Sequence, residues 1–193
     1  ENVLGKLKLT EADIRNAARM TVHWNAHVLR TVSDRDIRAY FDQHRDQFDG
    51  TQIRVRQIVR IIPADSPPAA LQDAEQLLND LRQKIEAGQL DFAEAAKANS
   101  QSPSGKNGGE IGLIRYQGDV PGPVAHAAFS LKTGQLSPII RSNVGVHLIQ
   151  TLERQPGDLS LEDARPAVLR VLGDELWRET ARKLRAKAKI VRS

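Results

Sequence analysis

The chain has 193 residues, 40% of them hydrophobic and 27% charged, with a formal net charge of +4 and no cysteine. That is room for one or two soluble domains with a real core, and it excludes disulfides, thiol catalysis and cysteine-held metals. Only 4% of the residues are aromatic, too few for a base-stacking nucleic-acid platform, and no apolar run approaches the roughly 20 residues of a membrane-spanning helix.

Residues 1–50 read as helical. Thr10 with Asp13, and Ser33 with Asp36, are capping-box signals. Ile37, Tyr40, Phe41, His44 and Phe48 recur at helical spacing, and Asp49-Gly50 closes the block with a turn. His23 and His27 stand one helical turn apart, as metal-binding pairs do. The intervening Trp24-Asn25-Ala26 lacks the Glu of H-E-x-x-H and no third ligand is evident, so no metal is expected.

From residue 51 the period changes. In "IRVRQIVRII", Ile53, Val55, Gln57, Val59 and Ile61 share one face and Arg54, Arg56, Ile58, Arg60 and Ile62 the other, which predicts a strand. Gln57 is a polar residue on the apolar face. Leu71, Ala74, Leu77, Leu78, Leu81 and Ile85 mark an amphipathic helix ending at Ala87-Gly88, and a short helix follows with Asp91 as its cap. "GEIGLIR" predicts a strand, "GPVAHAAFSL" a small helix, and "GQLSPII" and "GVHLIQTLE" two further strands. Helices segregated from a mostly antiparallel, about four-stranded sheet make an α+β domain over 51–155. From 156 a long helix begins, capped by Ser160 or Asp163. Pro166 belongs in a first turn and so favours Asp163. Val168, Leu172, Leu176 and Leu184 give it an apolar stripe. Neither terminal segment is a domain alone, so the N- and C-terminal helices are expected to pack on each other.

Two other features need weighing. "NSQSPSGKNGGEIGLI" looks like a phosphate loop, but Lys106 is followed by Asn107 rather than Ser or Thr, and Ser100 stands where the upstream glycine belongs. The C-terminal "WRETARKLRAKAKIVRS" sets seven basic residues against Glu179. It reads as a solvated helix face and a basic tail. Without a recognition motif no nucleic-acid partner is expected. Ser102, Ser104 and Ser130 have no base with an orienting acid, so a hydrolase triad is not indicated.

Taken in order, "VRQIV", "DFAEAAKANSQSPSGKNGGEIG", "QGDV", "AAFSLKTGQLSPII" and "GVHLIQ" resemble a parvulin-type peptidyl-prolyl cis-trans isomerase domain over roughly residues 53–154. The helices on either side are similar to the chaperone helices of SurA/PrsA/PpiD-type extracytoplasmic foldases. The resemblance implies a glycine loop crossing a proline-binding cleft, no metal and no cofactor, unfolded or proline-containing polypeptides as partners, and a location in the periplasm or cell envelope. Glu1 in place of Met suits a removed signal or anchor, and the arms offer a surface for a homodimer.

Carried over by position, the family's two histidines fall on Gln57 and His147, and its loop Cys or Asp on Ser102. Its Met–Phe proline pocket falls on Val120 and Val124, with Ile111 and Phe129 as further apolar contacts. Gln57 both donates and accepts, Ser102 brings no charge, and two valines make a shallow pocket. The expectation is an isomerase with a weakened cleft. The alternative is a catalytically degenerate holdase that binds unfolded chains.

Overall fold

The computed structural model describes residues 10–188; Lys189 and Arg192 of the basic tail lie outside them. The chain divides into two compact units, one of Asp46–Leu159 and one from the segments on either side of it, Glu1–Arg45 and Ser160–Ser193.

The helical unit contains α1 (Glu11–Thr31), α2 (Asp34–Gln43) and α7 (Leu161–Lys187), while α3 (Arg45–Phe48) is a single turn at the unit boundary. All three long helices begin with complete capping boxes: Thr10 with Asp13, Ser33 with Asp36, and Ser160 with Asp163. Each box satisfies two N-terminal amides that the helix itself leaves bare. The cap of α7 is therefore Ser160, and Asp163 is its reciprocal partner rather than the cap. Pro166 lies inside the helix, where it removes one backbone bond. Val28, Ile37, Phe41, Ala164 and Val168 are buried within this unit. Gly173 faces Val28 so closely that an added Cβ would sit 3.3 Å from it. Tyr40 donates to Glu175 at 3.2 Å, and Arg165 pairs with Asp34. Leu184 does not join the stripe and is exposed.

The α+β unit is built on β1 (Gln52–Ile61), β2 (Glu110–Arg115), β3 (Ile140–Arg141) and β4 (Gly145–Gln155), in the order β2-β1-β4-β3 and antiparallel throughout. The alternation of β1 gives the sheet two apolar faces. On one face, Ile58 packs with Val146 and Leu148 against α4 (Pro68–Glu86) and α5 (Phe92–Asn99), through Ala74, Leu78, Leu81, Phe92, Ala95 and Ala96. The Arg56 guanidinium lies 4.6 Å over the Phe92 ring and closes this layer. On the other face, Ile53, Val55 and Ile149 pack against α6 (Gly122–Ser130) through Val124, Ala128 and Phe129. Asp91 caps α5 by accepting from the Ala93 and Glu94 amides.

"GQLSPII" is not a full strand. Leu136 makes an isolated bridge to Gln150, and only Ile140–Arg141 forms ladder with β4. Two features break it: Pro138 has no N–H to give, and the Ser137 hydroxyl, fully buried, takes the Ile149 amide of β4 at 3.1 Å. At the unit's ends, Leu159 N–H donates to the Asp49 carbonyl at 2.8 Å and Gly157 N–H to Thr51 Oγ1 at 3.1 Å. The entry and exit of the unit are thus tied together.

Candidate functional site

Strand β2 pairs only with residues 52–56 of β1, leaving the rest of that edge of β1 without a strand neighbour. The serine- and glycine-rich segment fills the gap. Gln101 N–H donates to the Val59 carbonyl at 2.8 Å, Ser100 Oγ accepts from Val59 N–H at 3.1 Å, and Gln101 Oε1 accepts from Ile61 N–H at 2.7 Å. Side-chain oxygens stand in for the missing strand's carbonyls, so the backbone of β1 stays satisfied. A short 3-10 helix, Pro103–Asn107, then turns the chain back, and the Gly109 carbonyl accepts from Gln57 N–H at 2.9 Å. Gly109 has φ +85°, and a Cβ there would lie 2.4 Å from the Gln57 carbonyl oxygen. Only glycine permits this approach.

Between this segment, β1, β2 and the start of α6 lies a cleft of about 380 Å³. Gln57, Ser102, Ile111, Val120 and His147 all line it. Five positions from four separate stretches of sequence therefore meet on one hollow. Val59, Ile61, Pro103, Leu113, Ile114, Pro121 and Val144 complete the apolar lining, and of these the sequence reading had placed only Val59 and Ile61 on the face of Gln57. Ile61, Leu113 and Val144 are exposed large hydrophobic side chains on its walls. Val124 and Phe129 are not in the lining: Val124 is fully buried, and both belong to the core cluster under α6. Phe129 is further covered by Tyr116, edge-on at 5.2 Å.

Four polar side chains reach the cleft. Ser102 Oγ is 3.0 Å from Ser104 Oγ. Asp119 is held by Arg115, accepting from its backbone N–H at 2.7 Å and its guanidinium at 3.1 Å, and these bonds hold its pKa below the usual carboxylate value. His147 is only 2% exposed. Its Nε2 lies 2.7 Å from Ser142 Oγ, which itself accepts from Val144 N–H at 3.0 Å. Its Nδ1 is buried with no hydrogen-bond partner among the described residues, and burial pushes the pKa of the ring down. Gln57 is partly buried, and its carboxamide makes no hydrogen bond with any described residue. Ser142 was invisible to sequence reading because a serine in a turn carries no periodic signal.

His23 lines a separate apolar groove in the helical unit, of about 630 Å³, with Ala17, Met20, Trp24 and Trp177. The two tryptophans meet edge-on at 4.9 Å. Among the described residues no group of three potential metal ligands occurs, and no helix is long and apolar enough to cross a membrane.

A family model described as a rotamase, or PPIC-type PPIase, domain matches residues 58–153. The chain is 36% identical over 142 residues to Chaperone SurA of Albidiferax ferrireducens, an alignment covering 72% of this chain and 30% of that one. To Chaperone SurA of Alkalilimnicola ehrlichii it is 28% identical over 179 residues, 91% of this chain and 38% of the other. The chain thus spans about a third of the length of these curated relatives. The crystal structure of the peptidylprolyl isomerase PrsA from Bacillus anthracis has a similar fold, with a TM-score of 0.57 at 22% identity over 99% of this chain and 82% of that one.

Proposed function

Residues 58–153 belong to the parvulin family of peptidyl-prolyl cis-trans isomerases, and we propose that the chain is a folding factor that rotates X-Pro bonds of unfolded polypeptides in the cleft described above. The observation that carries this reading is the meeting of Gln57, Ser102, Ile111, Val120 and His147 on one apolar hollow. Rotation about an X-Pro bond is slow because it breaks amide conjugation, with a barrier near ~20 kcal/mol. Catalysis requires no bond to be made or broken. An apolar lining takes the pyrrolidine ring, and hydrogen bonds that strengthen as the amide twists lower the barrier. Ile111 and Val120 supply the apolar contact, Gln57 and Ser102 the polar one, and His147 forms part of the wall. Because Ser102 is neutral and a valine stands in the pocket, the activity is expected to be modest. Stopped-flow isomerisation of proline tetrapeptides tests this. A rate above buffer at micromolar protein supports the reading, and no increase overturns it.

A holding role for the helical unit rests on its own observation. Met20 and Trp177 are exposed along the apolar groove of α1 and α7, a surface suited to apolar segments of unfolded chains. We place the clients outside the cytoplasm, in keeping with the relatives named Chaperone SurA and with the foldase group that the flanking helices resemble. Suppression of client aggregation that persists in a variant with a blocked cleft supports a separate holding surface; joint loss of both activities counts against it.

A further inference from the structure

We propose that the catalytic hydrogen-bond donor of this cleft is the Gln57 carboxamide, and that His147 is a positioning residue that does not touch the substrate. The proposal rests on the isomerase reading of the cleft and assigns the work within it.

Of the other polar side chains in the lining, the Ser102 hydroxyl already shares a hydrogen bond with Ser104, and Asp119, held by Arg115, is a carboxylate with no proton to donate. His147 faces the cleft with neither ring nitrogen free to act on a ligand. Nε2 is bonded to Ser142, whose hydroxyl is itself fixed by the Val144 amide, and Nδ1 is buried. Nε2 is thus engaged with Ser142 whichever of the two carries the shared proton, and Nδ1 is shut away from solvent. Gln57 differs on every count. It lines the same cleft, its side chain is only partly buried, and its carboxamide has no partner among the described residues.

Position makes the group effective. Val59 pairs with His147 across the β1–β4 ladder, and Gln57 with Ile149, so Gln57 and His147 stand on one sheet face a single pair apart. The Gln57 N–H is bonded to the Gly109 carbonyl, and the next residue, Ile58, pairs with Leu148 in the β1–β4 ladder. The carboxamide therefore extends into the cleft from a fixed root.

The chemistry selects the transition state. In the planar imide the nitrogen lone pair is delocalised and accepts poorly. As the bond twists the pair localises on nitrogen, which then accepts from a Gln57 N–H. This bond strengthens only along the rotation, the condition for catalysis rather than mere binding. A carboxamide does not titrate, so the step carries no pH dependence of its own.

The test is an NMR titration of the whole chain with a proline tetrapeptide. It follows the Gln57 side-chain NH₂ and the His147 ring nitrogens, with isomerisation read in the same samples by exchange spectroscopy. The proposal expects the Gln57 NH₂ signals to move on peptide addition while His147 keeps its tautomer and shifts. It expects kcat to be flat from pH 5.5 to 8, and Gln57→Leu to lower kcat about tenfold with peptide affinity little changed. Gln57→Asn should recover part of the loss. Movement of the His147 nitrogens with Gln57 silent, a rate that titrates with the ring, or an unimpaired Gln57→Leu variant overturns the assignment while leaving the isomerase reading standing. Shifts at Gln57 without any exchange in the wild-type chain overturn the isomerase reading and catalysis by Gln57 together, leaving only the contact.

Discussion

His147 sits where charge is unwelcome. Its side chain is buried, its one side-chain hydrogen bond among the described residues is to a neutral hydroxyl, and burial lowers its pKa from 6.5. The unfolded chain therefore takes up a proton that the folded chain refuses. The histidine contribution is fully present above about pH 6.5 and is lost as the pH falls below it, at up to ~1.4 kcal/mol per pH unit. Urea midpoints measured between pH 7.5 and 5 should drop below pH 6.5, and the drop should shrink in His147→Phe; an unchanged slope in that variant contradicts a buried neutral ring. The cap carboxylates of Asp13, Asp36, Asp91 and Asp163 are lowered by their hydrogen bonds from 3.8. Their contributions are lost only below that value, so the two windows separate. At this scale the sequence was informative for Gln57, which alternation marks as a polar residue on an apolar face, and for Ser102 and His147, which the resemblance to the parvulin family places by position. It failed for Val124 and Phe129. Which side of a nine-residue helix faces the core is decided by the sheet beneath it, not by the helix's own period.

The element on which the site depends is β1, with the segment that completes its edge. A side chain at Gly109 must displace the Gln57 carbonyl, and its φ of +85° is unfavourable for any L-residue. Gly109→Ala is expected to cost at least roughly 1–2 kcal/mol and to lower isomerisation together with stability, read by urea unfolding and peptide turnover. A variant with normal stability and rate contradicts the role given to this loop. Helix starts were legible here because a cap is a local exchange of hydrogen bonds. Thr10, Ser33 and Asp91 each accept from amides within three residues. "GQLSPII" was not, since its ladder is broken by Pro138 and by the Ser137 hydroxyl acting across to Ile149, a long-range partner that alternation does not encode. The cap of α7 was misjudged for a related reason: the Ser160–Asp163 box outweighs the single backbone bond lost at Pro166.

At the scale of the molecule, the α+β unit is one continuous segment with its ends joined through Asp49 and Leu159, while the helical unit draws on both ends of the chain. That plan was visible in the change of period near residue 51 and again near 156. The groove of Trp24 and Trp177 was not, because it is made by residues 153 positions apart in sequence (24 and 177). A fragment of residues 46–159 is expected to fold, to keep the isomerisation rate of the whole chain and to lose suppression of client aggregation. Melting curves, peptide turnover and light scattering check the three statements. A fragment that suppresses aggregation as well as the whole chain removes the holding role from the helices.

The central claim is that the hollow beside Gln57 and His147 turns proline bonds. Its most direct test is the cis-to-trans rate of a proline tetrapeptide against protein concentration, for the whole chain and for a Val120→Arg variant that fills the cleft with a charge. The account predicts a rate rising linearly with wild-type protein and staying at the buffer value with the variant, at unchanged helical content. Equal rates for the two proteins, or no dependence on protein at all, contradict it.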